Sequence, residues 1–197
     1  MSNHNLGERL EKIKKFCMRK LPYIHSQGLF RYYTVHSVGH SEAVIKILNE
    51  LTEGVNLSEY ENFLLKCSAW LHDIGMLMRE GEDINNPEVC NRIRKEHHKR
   101  SAEYISKHLR EIGLDETEAT IIQWICYAHS SKVDISKVPE ETHIAGENVR
   151  TRLLAALLRL ADALDCREDR LPPEEYRRLP QIPQESQEEY WINLPKV

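Results

Sequence analysis

Apolar residues recur three and four positions apart through most of this chain, and no stretch before residue 171 reads as a convincing strand. That spacing commits the chain to packed helices. The first segment runs from about Leu6 to Tyr23, with Leu10, Ile13, Phe16, Cys17 and Leu21 on one stripe. The second starts near His40 and ends at Gly54. The third opens on Ser58-Glu59-Tyr60-Glu61, a capping box, and breaks at Gly75. The fourth spans about Pro87 to Ile112, as one helix or two pieces, and stops at Gly113. The fifth follows Asp115, a good N-cap, and reaches about His129. Residues 131 to 148 read as a polar loop. The sixth, from about Asn148 to Cys166, is the most apolar, and a short seventh is expected after Pro173.

The rest of the chain bounds the class. With 197 residues, 41% hydrophobic and 29% charged, it has the size and balance of one globular domain. We place that domain at residues 1–170 and a Pro-rich tail at 171–197. The tail holds five of the eight prolines and ends in Tyr190-Trp191-Ile192-Asn193-Leu194. Either this apolar patch packs back on the helices, or it begins a further segment or a homodimer contact. No apolar run approaches the ~20 residues of a membrane span, and the start has no apolar signal core. The five cysteines form no C-x-x-C pair and read as reduced, mostly buried thiols of a cytoplasmic protein. The net charge of −4 gives no whole-molecule nucleic-acid footprint.

Several titratable residues interrupt the apolar stripes. His40 shares a face with Val44, Ile47, Leu48 and Leu51, and His36 lies one turn earlier if that helix extends back. His72 and Asp73 sit at an apolar helix end, in Leu-His-Asp-Ile-Gly. Asp162 lies on the stripe of Leu158, with Asp165 three residues on. His129 closes the face of Ile121, Ile122 and Ile125. His97 shares a stripe with Ile93 and Ser101, and His98 the adjoining one with Ala102 and Ile105; spacing does not choose between them. A buried carboxylate needs a cation or a proton. Each residue alone has an ordinary structural reading, such as an ion pair for Asp162 with Arg159 or a dipole-favoured C-terminal histidine for His129. Together, four helices bring His and Asp inward. That donor mixture suits Mn, Fe, Co, Ni or Zn and phosphoryl chemistry.

The order His40, His72-Asp73, Asp162 resembles the H…HD…D signature of the HD-domain metal-dependent phosphohydrolases over roughly residues 30 to 170. The resemblance implies an all-α HD-domain bundle of about six to seven helices. It also implies one or two divalent metal ions, with His40, His72, Asp73 and Asp162 as ligands. Two-metal members carry two further histidines, and His97 and His129 match those slots. Tyr33-Thr34-Val35-His36-Ser37-Val38-Gly39-His40-Ser41, with Arg94…His97-His98-Lys99-Arg100-Ser101-Ala102, is similar to the HD-CE subgroup. Its members are often joined to GHKL-type ATPase modules in bacteria. His36 resembles the histidine that protonates the leaving oxygen in related cyclic-nucleotide phosphodiesterases, which suits its ordinary pKa of ~6.5.

The expectation is therefore hydrolysis of a phosphoester or phosphoanhydride by a metal-activated water, in a nucleotide or related small molecule. Asp73 would bridge two metals and His36 would act as general acid. Lys99, Arg100, Arg159 and Arg170 are candidates to hold phosphate oxygens. The competing expectations are an HD-type nuclease on single strands, disfavoured by the acidic charge, and a non-catalytic nucleotide-sensing domain.

Overall fold

The computed structural model describes residues 5–26, 28–144, 146–167 and 170. It is mostly helical: α1 (Leu6–Lys20), α2 (Pro22–His25), α3 (Val38–Leu51), α4 (Glu59–Leu71), α5 (Pro87–Ile112), α6 (Glu116–Ala128) and α7 (Thr151–Leu164). Pro22 splits the first expected helix, because its ring permits a helix start but supplies no N–H to continue one. α3 begins at Val38, so His36 lies in the irregular segment before it and not on an earlier helical turn. α5 is one continuous helix of 26 residues.

α4 is the central element. Phe63, Leu64, Leu65, Cys67, Ala69, Trp70 and Leu71 are all buried, which leaves the helix little polar face. It packs on α1, α3, α6 and α7, while α5 lies against α6 and against the turn that follows α4. The expected capping box is present: Ser58 Oγ accepts from the Glu61 N–H, and Glu61 accepts from the Ser58 N–H. Asp115 and Glu118 form a second box at the start of α6.

The expected polar loop at 131–148 is corrected. It contains a 3-10 turn (Ile135–Lys137) and a short antiparallel hairpin, β1 (Thr142–Ile144) with β2 (Glu147–Val149), so Asn148 is in a strand and α7 starts later, at Thr151. Three-residue strands are too short to show an alternation, although Ile144 and Val149 are buried. Among the described residues no helix is long and apolar enough to cross a membrane. Four of the five cysteines are buried, Cys166 is exposed, and none is in a disulfide. The expected helix after Pro173 and the tail lie outside the described residues.

Candidate metal centre

Four helix ends meet at one place. α3 contributes His40 from its first turn. α4 ends at its C-cap His72, with Asp73 next. α6 ends at its C-cap His129, and α7 contributes Asp162 from its last turn and Asp165 as its C-cap. α5 runs past them and adds His97 from its middle. Gly75 allows that close pass. A Cβ there would lie 2.2 Å from the His97 carbonyl oxygen and 2.4 Å from the Ser101 nitrogen, so only glycine fits. The Gly75 N–H donates to Ser101 Oγ (2.9 Å), and Ser101 Oγ donates to the His72 carbonyl (2.5 Å). The turn carrying His72-Asp73 is thereby pinned to the helix carrying His97.

Each of four imidazoles is oriented through Nδ1. His40 Nδ1–H donates to Asp165 Oδ2 (2.7 Å), His72 to the Ala69 carbonyl (2.9 Å), His97 to the Arg94 carbonyl (2.6 Å) and His129 to the Cys126 carbonyl. Carbonyls and carboxylates only accept, so Nδ1 holds the proton and Nε2 keeps its lone pair in each neutral ring. Those lone pairs converge. The Nε2 atoms of His40 and His72 are 3.1 Å apart, and those of His97 and His129 are 2.7 Å apart. Two facing lone pairs at such distances repel unless a cation lies beside them.

Asp73 joins the two pairs. Its Oδ2 is 3.1 Å from His72 Nε2 and 3.5 Å from His40 Nε2, and its Oδ1 is 3.4 Å from His97 Nε2. Asp162 Oδ1 completes the first group, 3.1 Å from His40 Nε2 and 3.8 Å from His72 Nε2. Two groups result, His40-His72-Asp162 and His97-His129, with Asp73 between them. Cis ligands at metal–nitrogen bonds of about 2.1 Å stand roughly 3 Å apart, so these spacings fit a metal ion in each group.

The two buried carboxylates create the same demand for positive charge. Burial disfavours the charged form of His72, yet Asp73 and Asp162 beside it raise its pKa to about 9. Burial, reinforced by His97 and His72, lowers His129 to about 3. Burial opposes ionisation of Asp73 and Asp162, but the surrounding imidazoles hold both below the usual carboxylate range.

Six expected ligands are thus brought together: His40, His72, Asp73, His97, His129 and Asp162. His98 is not among them. It is buried beside Tyr127, with ring centroids 5.5 Å apart. His36 does join the site: its Nδ1–H donates to Asp73 Oδ2 (2.8 Å), and burial lowers its pKa to about 4. Arg159 and Arg170 line a cleft of about 550 Å³ that opens over His36, His97, His129 and Asp162. The expectation that Arg100 holds phosphate is corrected. Its guanidinium donates to the Gly75 carbonyl (2.7 Å), the Leu77 carbonyl (2.8 Å) and Glu82 (2.6 Å), where it supports the turn after Asp73. Lys99 is exposed and does not line the cleft.

Two supporting residues escaped sequence reasoning. Asp165, buried and held by Arg167 (2.6 Å) and Arg170 (3.7 Å), orients His40. His25 accepts the His36 backbone N–H at Nε2 (2.8 Å) and donates from Nδ1 to the Phe30 carbonyl (2.8 Å). Asp165 had a signal, its place one helical turn beyond Asp162. His25 had none.

A family model, HD-CE, matches residues 30–196. The chain belongs to the HD-CE family. No curated protein and no solved structure matches it. The match covers every converging residue, so in this HD-CE domain the H…HD…D residues are the ones whose side chains meet.

Proposed function

We propose that this HD-CE domain is a metal-dependent hydrolase acting on a phosphoester or phosphoanhydride bond in a nucleotide or related small molecule. The observation that carries this reading is Asp73, whose two oxygens face two separate groups of imidazole Nε2 atoms. His40, His72, Asp162 and Asp73 would hold one divalent ion, and His97 and His129 with Asp73 a second. Such an ion supplies Lewis acidity, which lowers the pKa of water and polarises a phosphoryl group.

The protein's own groups do the rest. The Nδ1 hydrogen bonds fix each ring before substrate arrives, which spares reorganisation during the reaction. His36 lines the cleft, orients Asp73 and carries a proton at Nδ1. In this reading the ring gives a proton to the departing oxygen from Nε2, after taking one up there, because its Nδ1 proton is committed to Asp73.

Elemental analysis of the purified protein, beside Asp73→Ala, tests the proposal. One or two equivalents of Mn, Fe, Co, Ni or Zn in the wild type, lost in the variant, are expected. Phosphate release from a nucleotide panel with that metal should then be lost as well. A metal-loaded protein that turns over nothing in the panel would sink the catalytic reading and leave a nucleotide-sensing domain.

A further inference from the structure

The wall of the cleft differs in chemistry from its floor. Arg94 and Lys95 come from α5, Lys132 from the segment after α6, Arg159 from α7, and Arg170 from the segment beyond it. Among the described residues the lining carboxylates are Asp162, which faces the histidines, and Asp165, which is already matched by His40, Arg167 and Arg170. A chain with a net charge of −4 therefore concentrates cations at one opening.

Two of these cations are held in place. Arg159 donates from Nε to the Ala128 carbonyl (2.8 Å) and from Nη2 to the Val133 carbonyl (2.8 Å). Arg170 donates from Nε to the Val35 carbonyl (3.3 Å) and from Nη1 to the Asp165 carbonyl (2.6 Å). These bonds fix both guanidinium planes. A fixed guanidinium loses little freedom when it meets a phosphate.

Recognition of a nucleobase needs other features: an aromatic or aliphatic surface to stack on, with fixed polar groups at its edge. Among the described lining residues the aromatic rings are the imidazoles of His36, His97 and His129, which face the carboxylates of the floor, and there is no Phe, Tyr, Trp, Leu, Ile or Val; Thr34, Ser130, Ser131, Ala163 and Cys166 fill the remaining places.

We propose that this cleft grips a run of two or more phosphates and does not select among bases. Its substrates are then oligophosphates, either nucleoside triphosphates of any base or inorganic oligophosphate. The terminal phosphate would lie over the histidines and the others along the cationic wall, so the inference rests on the hydrolase reading for its orientation.

Equilibrium binding and turnover, read separately, test it. Inorganic tripolyphosphate, ATP, GTP, CTP, UTP, AMP and adenosine are titrated into the metal-loaded protein by calorimetry, with Mg2+ in excess over every ligand. Tripolyphosphate and the four triphosphates should bind within about threefold of one another, and AMP about tenfold or more weaker. Lys132→Ala, at an exposed position outside the histidine groups, should weaken tripolyphosphate by about fivefold and adenosine not at all. A tenfold preference for one base, or AMP bound as tightly as ATP, overturns the inference. Tight, base-indifferent binding without cleavage supports it while removing the catalytic reading.

Discussion

His97 and His98 are neighbours on α5 with opposite fates. His97 Nδ1–H donates back to the Arg94 carbonyl one turn earlier, which aims Nε2 at His129 and Asp73. His98 points toward Tyr127, and its Nδ1 has no hydrogen-bond partner among the described residues. His97→Ala should therefore remove one metal equivalent, and His98→Ala should leave the metal content intact. Elemental analysis of the two variants checks this, and the reverse result would move the ligand by one residue. The loss in His98→Ala should appear in stability, because a buried ring leaves a cavity.

At the scale of elements, two contacts hold the helix ends in register. The first is Gly75 against α5. In Gly75→Ala the new methyl meets backbone atoms of His97, Arg100 and Ser101, which cannot rotate away. We expect a destabilisation of about 3 kcal/mol, together with lower metal content as the turn carrying Asp73 shifts. Chemical denaturation and elemental analysis measure the two effects.

The second contact is Glu61, near the start of α4, which is 2% exposed and ties the start of α7 to α4. Its carboxylate accepts from Arg150 Nη2 (2.6 Å), Nε (2.8 Å) and backbone N–H (3.0 Å), and from the Ser58 N–H (3.0 Å). The Arg150 hydrogen bond lowers the carboxyl pKa from 4.5 to about 2, against the cost of burial. A depressed pKa stabilises the fold above the unfolded value, and that contribution is lost as pH falls through the folded one. Glu61→Gln should cost about 2 kcal/mol at pH 7. Urea denaturation should show the gap to wild type narrowing between pH 4.5 and pH 2. A gap that stays constant across that window would mean the carboxylate charge does not stabilise the fold.

For the whole molecule, the candidate metal centre is a junction of α3, α4, α5, α6 and α7. It gathers imidazole lone pairs and two carboxylates that repel within each kind until a cation is present. A ligand bound only by the folded state adds stability by mass action. Metal at about a hundred times its dissociation constant should raise the melting temperature by about 5–10 °C, and a chelator should reverse the rise. An unchanged melting temperature after metal uptake would place the bound ion away from this junction.

Much of this protein was legible in its sequence, because helical spacing is a local property. The stripes of α4, α6 and α7, the caps at Ser58 and Asp115, and the inward faces of His40, His129 and Asp162 all follow from which residues stand three or four apart. The pentad Leu71-His72-Asp73-Ile74-Gly75 announced both a buried charge and a sharp turn. Spacing gives an angle about a helix axis, however, and not the identity of the neighbour across it. Spacing left His97 and His98 equivalent, and the packing of α5 on α6 turns His97 to the site and His98 to Tyr127. Only the turn at Gly75 brought carbonyl acceptors to Arg100 and drew it away from the cleft. Asp165 became the support of His40 because α3 and α7 cross there, 125 residues apart in sequence. Hydrogen bonds and metal coordination act over about 2 to 3 Å, and that scale exists only after the helices have packed.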